Sequence, residues 1–85
     1  MATPDFSSFL PSPPSGDVIN AVLRFADIEE DLGGGRVLNR CSEKRLRQRE
    51  VRSFLGKEGV KRAADIAVVW DVREDQIFRV FDRAA

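Results

Sequence analysis

The stretch from Ala63 to Asp82, AADIAVVWDVREDQIFRVFD, decides the fold that the sequence predicts. It contains two groups of apolar residues, each with the three- and four-residue spacing of one helix face. The groups are Ile66, Ala67 and Trp70, then Ile77, Val80 and Phe81, with Val72 between them. Because so few residues separate the groups, Asp71 and Val72 are expected to turn the chain sharply between two short helices.

Two short helices at a tight corner, with one apolar residue plugging it, form a helix-turn-helix motif. The stretch resembles the helix-turn-helix of DNA-binding proteins. The residues at the family's apolar positions are Ile66, Ala67, Trp70, Val72, Ile77 and Val80. The stretch departs from the family at Asp71, where a left-handed Gly is usual and where Asp costs about 1 kcal/mol. With LRQREVRSFL (Leu46 to Leu55) included, residues 43–84 resemble sigma-factor region 4 and Trp-repressor-like helices.

The resemblance implies a DNA-reading surface. In the family, the outer face of the second motif helix enters the major groove, which here would present Arg73, Gln76 and Arg79 to bases or phosphates. The preceding segment, residues 43–62, has eight basic and three acidic side chains, so its helix is a candidate for backbone contacts. The predicted nucleic-acid-binding residues are Arg45, Arg49, Arg52, Lys61, Arg73, Gln76 and Arg79.

The charge balance keeps a second function open. The chain has fourteen basic and fourteen acidic side chains, and the expected recognition helix includes Glu74, Asp75 and Asp82, which would repel phosphates. Phe78 would be exposed on the same helix, as in a protein contact. The two hypotheses are a transcription-associated regulator that binds double-stranded DNA and a helical adaptor that binds a protein such as the transcription machinery.

The N-terminal segment, residues 1–16, contains all four prolines and is expected to be extended or disordered. Within it, Phe6, Phe9 and Leu10 are spaced like one edge of a helical turn. Three interpretations remain open for them: a cover over the domain's own core, a short motif that docks on a protein partner, or part of a solvated tail.

The remaining residues, 17–85, predict one small all-α domain of four helices at about 17–32, 42–55, 59–70 and 73–84, with the helix-turn-helix at its C-terminus. Gly33 to Gly35 are expected to end the first helix and to form a flexible hinge. The carboxylates of Glu29, Glu30 and Asp31 are expected either to meet the basic second helix or to face solvent.

The composition argues against several other functions. The chain has no His, and a single cysteine, Cys41, so neither an internal disulfide nor a usual zinc site is expected. No residue pattern indicates catalysis or a cofactor. No apolar run has the length of a signal peptide or a membrane span, which favours an intracellular protein of the cytoplasm, nucleoid or nucleus. A homodimer is left open.

Overall fold

The computed structural model describes residues 16–83 of the chain. Within this range the elements in chain order are α1 (Gly16–Phe25), β1 (Ile28–Gly33), β2 (Arg36–Arg40), α2 (Glu43–Leu46), α3 (Arg49–Ala63), β3 (Ile66–Asp71) and β4 (Gln76–Asp82). The strands form one sheet in the order β1-β2-β3-β4, and each neighbouring pair is antiparallel. The predicted all-α domain of four helices is therefore wrong.

The two motif helices expected at 59–70 and 73–84 are replaced largely by a β-hairpin. Strands β3 and β4 pair from Ile66 with Asp82 to Asp71 with Gln76, so the predicted C-terminal helix-turn-helix is also wrong. The apolar spacing of residues 66–71 resembles that of a helix because β3 is a central strand with buried residues on both faces. Such a strand shows a continuous apolar run in place of strict alternation, and a run of that kind also matches a helix face.

The corner of this hairpin differs in detail from the expectation. Asp71 does not take a left-handed conformation; its carboxylate Oδ1 accepts hydrogen bonds from the backbone N–H groups of Arg73 (3.0 Å) and Glu74 (3.1 Å). The left-handed residue is Asp75, with φ 54°. Val72 is 60% exposed and does not plug the corner. The turn is therefore held by a side-chain cap on its backbone.

The first predicted helix, 17–32, ends much earlier than expected. Helix α1 stops at Phe25, and Glu29, Glu30 and Asp31 lie in strand β1, which pairs with β2. The turn between these strands is Gly34–Gly35, with φ of 65° and 82°. Positive φ at both central residues is the geometry of two-residue hairpin turns, and glycine adopts it without steric cost. The glycine run therefore closes a hairpin.

The hydrophobic core lies between the helices and one face of the sheet. Val22 of α1, Val51 of α3 and Val68 of β3 are fully buried in one cluster, which Phe25 and Leu46 extend. Burial of each such side chain contributes roughly 1.5–3 kcal/mol. Helix α1 packs on α3 and on strands β2 and β3, so the helices form one layer and the sheet the other.

The connection that positions α2 depends on two polar residues. Ser42 precedes the helix, and its hydroxyl accepts a hydrogen bond from the Arg45 N–H at 3.1 Å. Asp27, in the loop after α1, accepts bonds from the Ser42 N–H (2.7 Å) and Ser42 Oγ (2.5 Å). These bonds lower the pKa of the Asp27 carboxyl below its usual value. Further along, Gly56 has φ 72° and interrupts the helical geometry of α3.

Candidate binding face of the sheet

The sheet has one face that no helix of residues 16–83 covers, and we refer to it as the open face. Val68 belongs to the core cluster beneath the helices, whereas its neighbour Val69, although buried, does not. Because successive side chains of a strand point to opposite faces, Val69 and the residues opposite it lie on the other side of the sheet. The open face includes Glu30, Arg36, Leu38, Arg40, Ala67, Val69, Asp71, Phe78, Arg79 and Phe81.

An irregularity in β4 concentrates side chains on this face. Val69 pairs with Arg79, whereas the next residue, Trp70, pairs with Ile77, so Phe78 is an extra residue in the ladder. A bulge of this kind redirects the side chains beside it. The Arg79 guanidinium lies 5.9 Å from the ring centroid of Phe78 and 5.7 Å from that of Phe81, which places all three side chains together.

The two rings of the open face are accessible and have guanidinium groups beside them. Phe78 is 46% exposed and Phe81 is 47% exposed. The guanidinium carbon of Arg36 lies 3.6 Å from the Phe78 ring centroid, which is a stacked cation–π contact. Arg79 lies between the two rings. The edge of the sheet at β4 therefore presents alternating aromatic and guanidinium surfaces to solvent.

The open face has charged side chains of both signs, and the basic ones outnumber the acidic ones. Arg36, Arg40 and Arg79 are basic, while Glu30 and Asp71 are acidic. Asp71 is largely buried, 3.8 Å from Arg36, and its other oxygen caps the β3–β4 turn. Its charge is therefore engaged within the fold. No acidic group of residues 16–83 lies within 4 Å of the Arg40 or Arg79 guanidinium.

The structure does not bring the sequence-predicted nucleic-acid-binding residues onto one surface. Arg79 is on the open face, and Arg73 and Gln76 lie at the β3–β4 turn beside it. Lys61 is exposed on the last turn of α3. Arg45 has a structural role, because its Nε donates to the Phe25 carbonyl at 2.8 Å and it also bonds to Gln48.

Two of the predicted residues share a shallow basic cleft on the helical layer. Arg49 and Arg52 line it together with Arg47, Ser53 and Lys57. Arg47 is paired with Glu43, whereas among the described residues Arg49, Arg52 and Lys57 have no acidic partner within 4 Å. The cleft can attract an anionic group, but it has neither an aromatic side chain nor a buried polar group to orient one.

The predicted protein-binding residues have different outcomes. Phe78 lies on the open face, whereas Phe6, Phe9 and Leu10 fall outside the described residues. The sequence does not predict Arg36, Arg40 or Phe81 as members of the open face. The available signal was the β-branched enrichment of residues 66–80, with Ile66, Val68, Val69, Val72, Ile77 and Val80, which is typical of strands.

Comparison with known proteins leaves the site to be interpreted from its own chemistry. The chain matches no family model, no curated protein and no solved structure. No helix between residues 16 and 83 is both long and apolar enough to cross a membrane. In the same range, no group of three or more acidic or cysteine side chains is arranged to hold a metal ion.

Proposed function

We propose that this protein binds single-stranded nucleic acid on the open face of its sheet. The observation that supports the proposal is the pair of half-exposed rings, Phe78 and Phe81, with the guanidinium groups of Arg36 and Arg79 against them. Unpaired bases stack on aromatic rings and on guanidinium planes, while arginines contact the phosphate backbone. The open face offers both kinds of contact, from β4 and from β2 on the other side of β3.

Single strands suit this face better than a duplex does. Base faces inside a double helix are already stacked on one another, so exposed aromatic rings gain little from a duplex. The helix expected to enter the major groove is a strand of the sheet, and its Phe78 and Phe81 side chains point out of the sheet plane. Flat aromatic surfaces of this kind favour bases that are splayed out of a helix.

The experiment is a fluorescence-anisotropy titration of a labelled mixed-sequence 12-mer, as single-stranded DNA, single-stranded RNA and duplex DNA, at three salt concentrations. With about three arginine–phosphate contacts at about −0.7 each, log affinity is expected to fall against log salt with a slope near −2. Phe78→Ala and Phe81→Ala are each expected to weaken binding by about 1–3 kcal/mol, the usual value of one base stack.

Phe54 provides a matched control. It is 50% exposed but packs edge-on against Phe25 at 5.5 Å, on the helical layer. Phe54→Ala is expected to leave the affinity unchanged. Absence of binding at the lowest salt, or duplex binding as tight as single-strand binding, would contradict the proposal.

The same face is the basis of the alternative function, a protein-docking surface. Phe78 and Phe81 form an exposed apolar patch, and aromatic and arginine side chains are enriched at the centres of protein interfaces. Under this alternative, Phe78→Ala weakens binding to a protein partner, and the oligonucleotides of the titration do not bind at any salt concentration.

A further inference from the structure

A cavity lies on the face of the sheet that packs against the helices, beside the C-terminal half of α1. It has a volume of about 440 Å³ and is open to solvent. Its lining consists of Leu23, Glu29, Val37, Asn39, Trp70 and Val72. The volume falls in the range of about 300–1,000 Å³ that is usual for small-ligand sites. The open face has no part in this cavity, so the inference is independent of nucleic-acid binding.

The polar groups of the cavity are hydrogen-bond acceptors. Asn39 is 8% exposed, and its Nδ2 donates to the carbonyl oxygens of Val37 (3.2 Å) and Val68 (3.4 Å). Both amide donors are therefore directed at the backbone, which leaves Oδ1 as the acceptor. Oδ1 accepts no hydrogen bond from the described residues, and none of their fully buried side-chain polar atoms lacks a partner, so Oδ1 retains some solvent exposure. Asn39 itself lines the cavity.

Two carboxylates lie on the same face of the sheet as this acceptor, and Glu29 also lines the cavity. Glu29 pairs with Asn39 across the β1–β2 ladder, and Asp31 pairs with Val37, so both acidic side chains lie on the cavity face. Neither carboxylate has a basic partner within 4 Å among the described residues. Asp31 accepts a hydrogen bond from the Gly33 N–H at 2.8 Å and otherwise adds only negative charge.

The remaining lining is apolar and includes Trp70, which pairs with Val37 across the β2–β3 ladder. An indole ring is the side chain that attracts a cation most strongly, and its flanks accommodate hydrocarbon. We propose that this cavity binds a small organic cation, an ammonium group on an apolar carbon stem, with the charge at Glu29 and Asn39 and the stem against Leu23, Trp70 and Val72. Charge complementarity selects this ligand over a neutral or anionic one of the same size.

Trp70 makes the proposal directly testable. It is the only tryptophan of the chain, which has no tyrosine, so excitation at long wavelength reports this cavity alone. The full chain is titrated with n-hexylammonium chloride and, separately, with n-hexanol, which has the same stem without the charge. Saturable change in Trp70 emission with hexylammonium, and at least a severalfold weaker response to hexanol, supports the proposal. Equal responses, or none to hexylammonium, overturn it.

Two variants at neighbouring residues distinguish binding in the cavity from attraction by the overall charge of strand β1. Glu29→Gln preserves shape but removes a carboxylate, and it is expected to weaken hexylammonium binding about fivefold. Glu30→Gln removes the same charge from the opposite face of the sheet and is expected to have no effect. Equal losses in the two variants would overturn the assignment. A further titration with Nα-acetyl-lysine methylamide shows whether the cavity prefers the ammonium group of a free amine or that of a lysine side chain.

Discussion

The guanidinium of Arg62 pairs with both carboxylate oxygens of Asp82, with Nη1–Oδ1 at 2.9 Å and Nη2–Oδ2 at 2.5 Å. Arg62 is in the last turn of α3 and Asp82 is the last residue of β4, so the pair ties the helical layer to an edge of the sheet. The hydrogen bonds that Arg62 donates to Asp82 raise the pKa of Arg62 above its usual value. Two parallel bonds also fix the relative orientation of the groups.

We expect loss of this pair to lower the thermal stability of the domain. Arg62→Ala leaves the largely buried Asp82 carboxylate without its main partner, and so it is expected to lower the melting temperature measured by circular dichroism. The matched control is Arg83→Ala, which removes an exposed arginine 3.6 Å from Asp65. Exposed pairs contribute little, so a drop as large in the control would contradict this assignment.

The cap on the β3–β4 turn makes Asp71→Gly destabilising. The substitution leaves the N–H groups of Arg73 and Glu74 without their carboxylate acceptor, which is expected to cost about 1–2 kcal/mol in urea unfolding. If Asp71 instead formed a left-handed corner of a helix-turn-helix, Asp71→Gly would raise the free energy of unfolding. Asp71→Asn, which retains an acceptor oxygen, should lose less than Asp71→Gly. Unchanged stability in the glycine variant would mean that the cap has no role.

Substitutions at two valines of the β3–β4 hairpin distinguish the sheet from a helix-turn-helix corner. Val72 is exposed, so Val72→Asp is expected to change the free energy of unfolding by less than about 0.5 kcal/mol. Val68 is fully buried, and a carboxylate there costs several kcal/mol, enough to unfold a domain of this size. Circular dichroism melts of the two variants give the comparison. Unfolding by Val72→Asp would support the helical corner instead.

Asp27 is expected to make the stability of the domain depend on acid pH. Hydrogen bonds from Ser42 hold the folded pKa of Asp27 below its ordinary value of 3.8, so the unfolded chain binds its proton first as the pH falls. The stabilisation is complete above that ordinary value and is lost as the pH falls through the folded pKa. In Asp27→Ala, the free energy of unfolding should therefore fall less steeply below about pH 4 than in the unchanged protein. Urea unfolding of both proteins at pH 7 and at stepped acid pH measures the difference.

Part of the local structure and of the candidate site was readable along the chain. Ser42 has the side chain of a helix cap and caps α2, because this interaction spans only three residues. The sequence predicts Phe78 and Arg79 as surface residues of functional interest, and both lie on the open face. It does not predict Arg36 or Phe81, because these residues join that face only when strands more than thirty residues apart in sequence come together.

The spacing of apolar residues is enough to predict two short elements within residues 66–82 with a sharp turn between them, and the order of charged residues shows a basic middle segment. That these elements are strands depends on contacts with the rest of the fold. Their hydrogen-bonding partners include β2, about thirty residues earlier, and a strand with both faces buried shows no period that distinguishes it from a helix. Strand β1 shows the same dependence, because its Glu29, Glu30 and Asp31 have low β-propensity and adopt an extended conformation through pairing with β2.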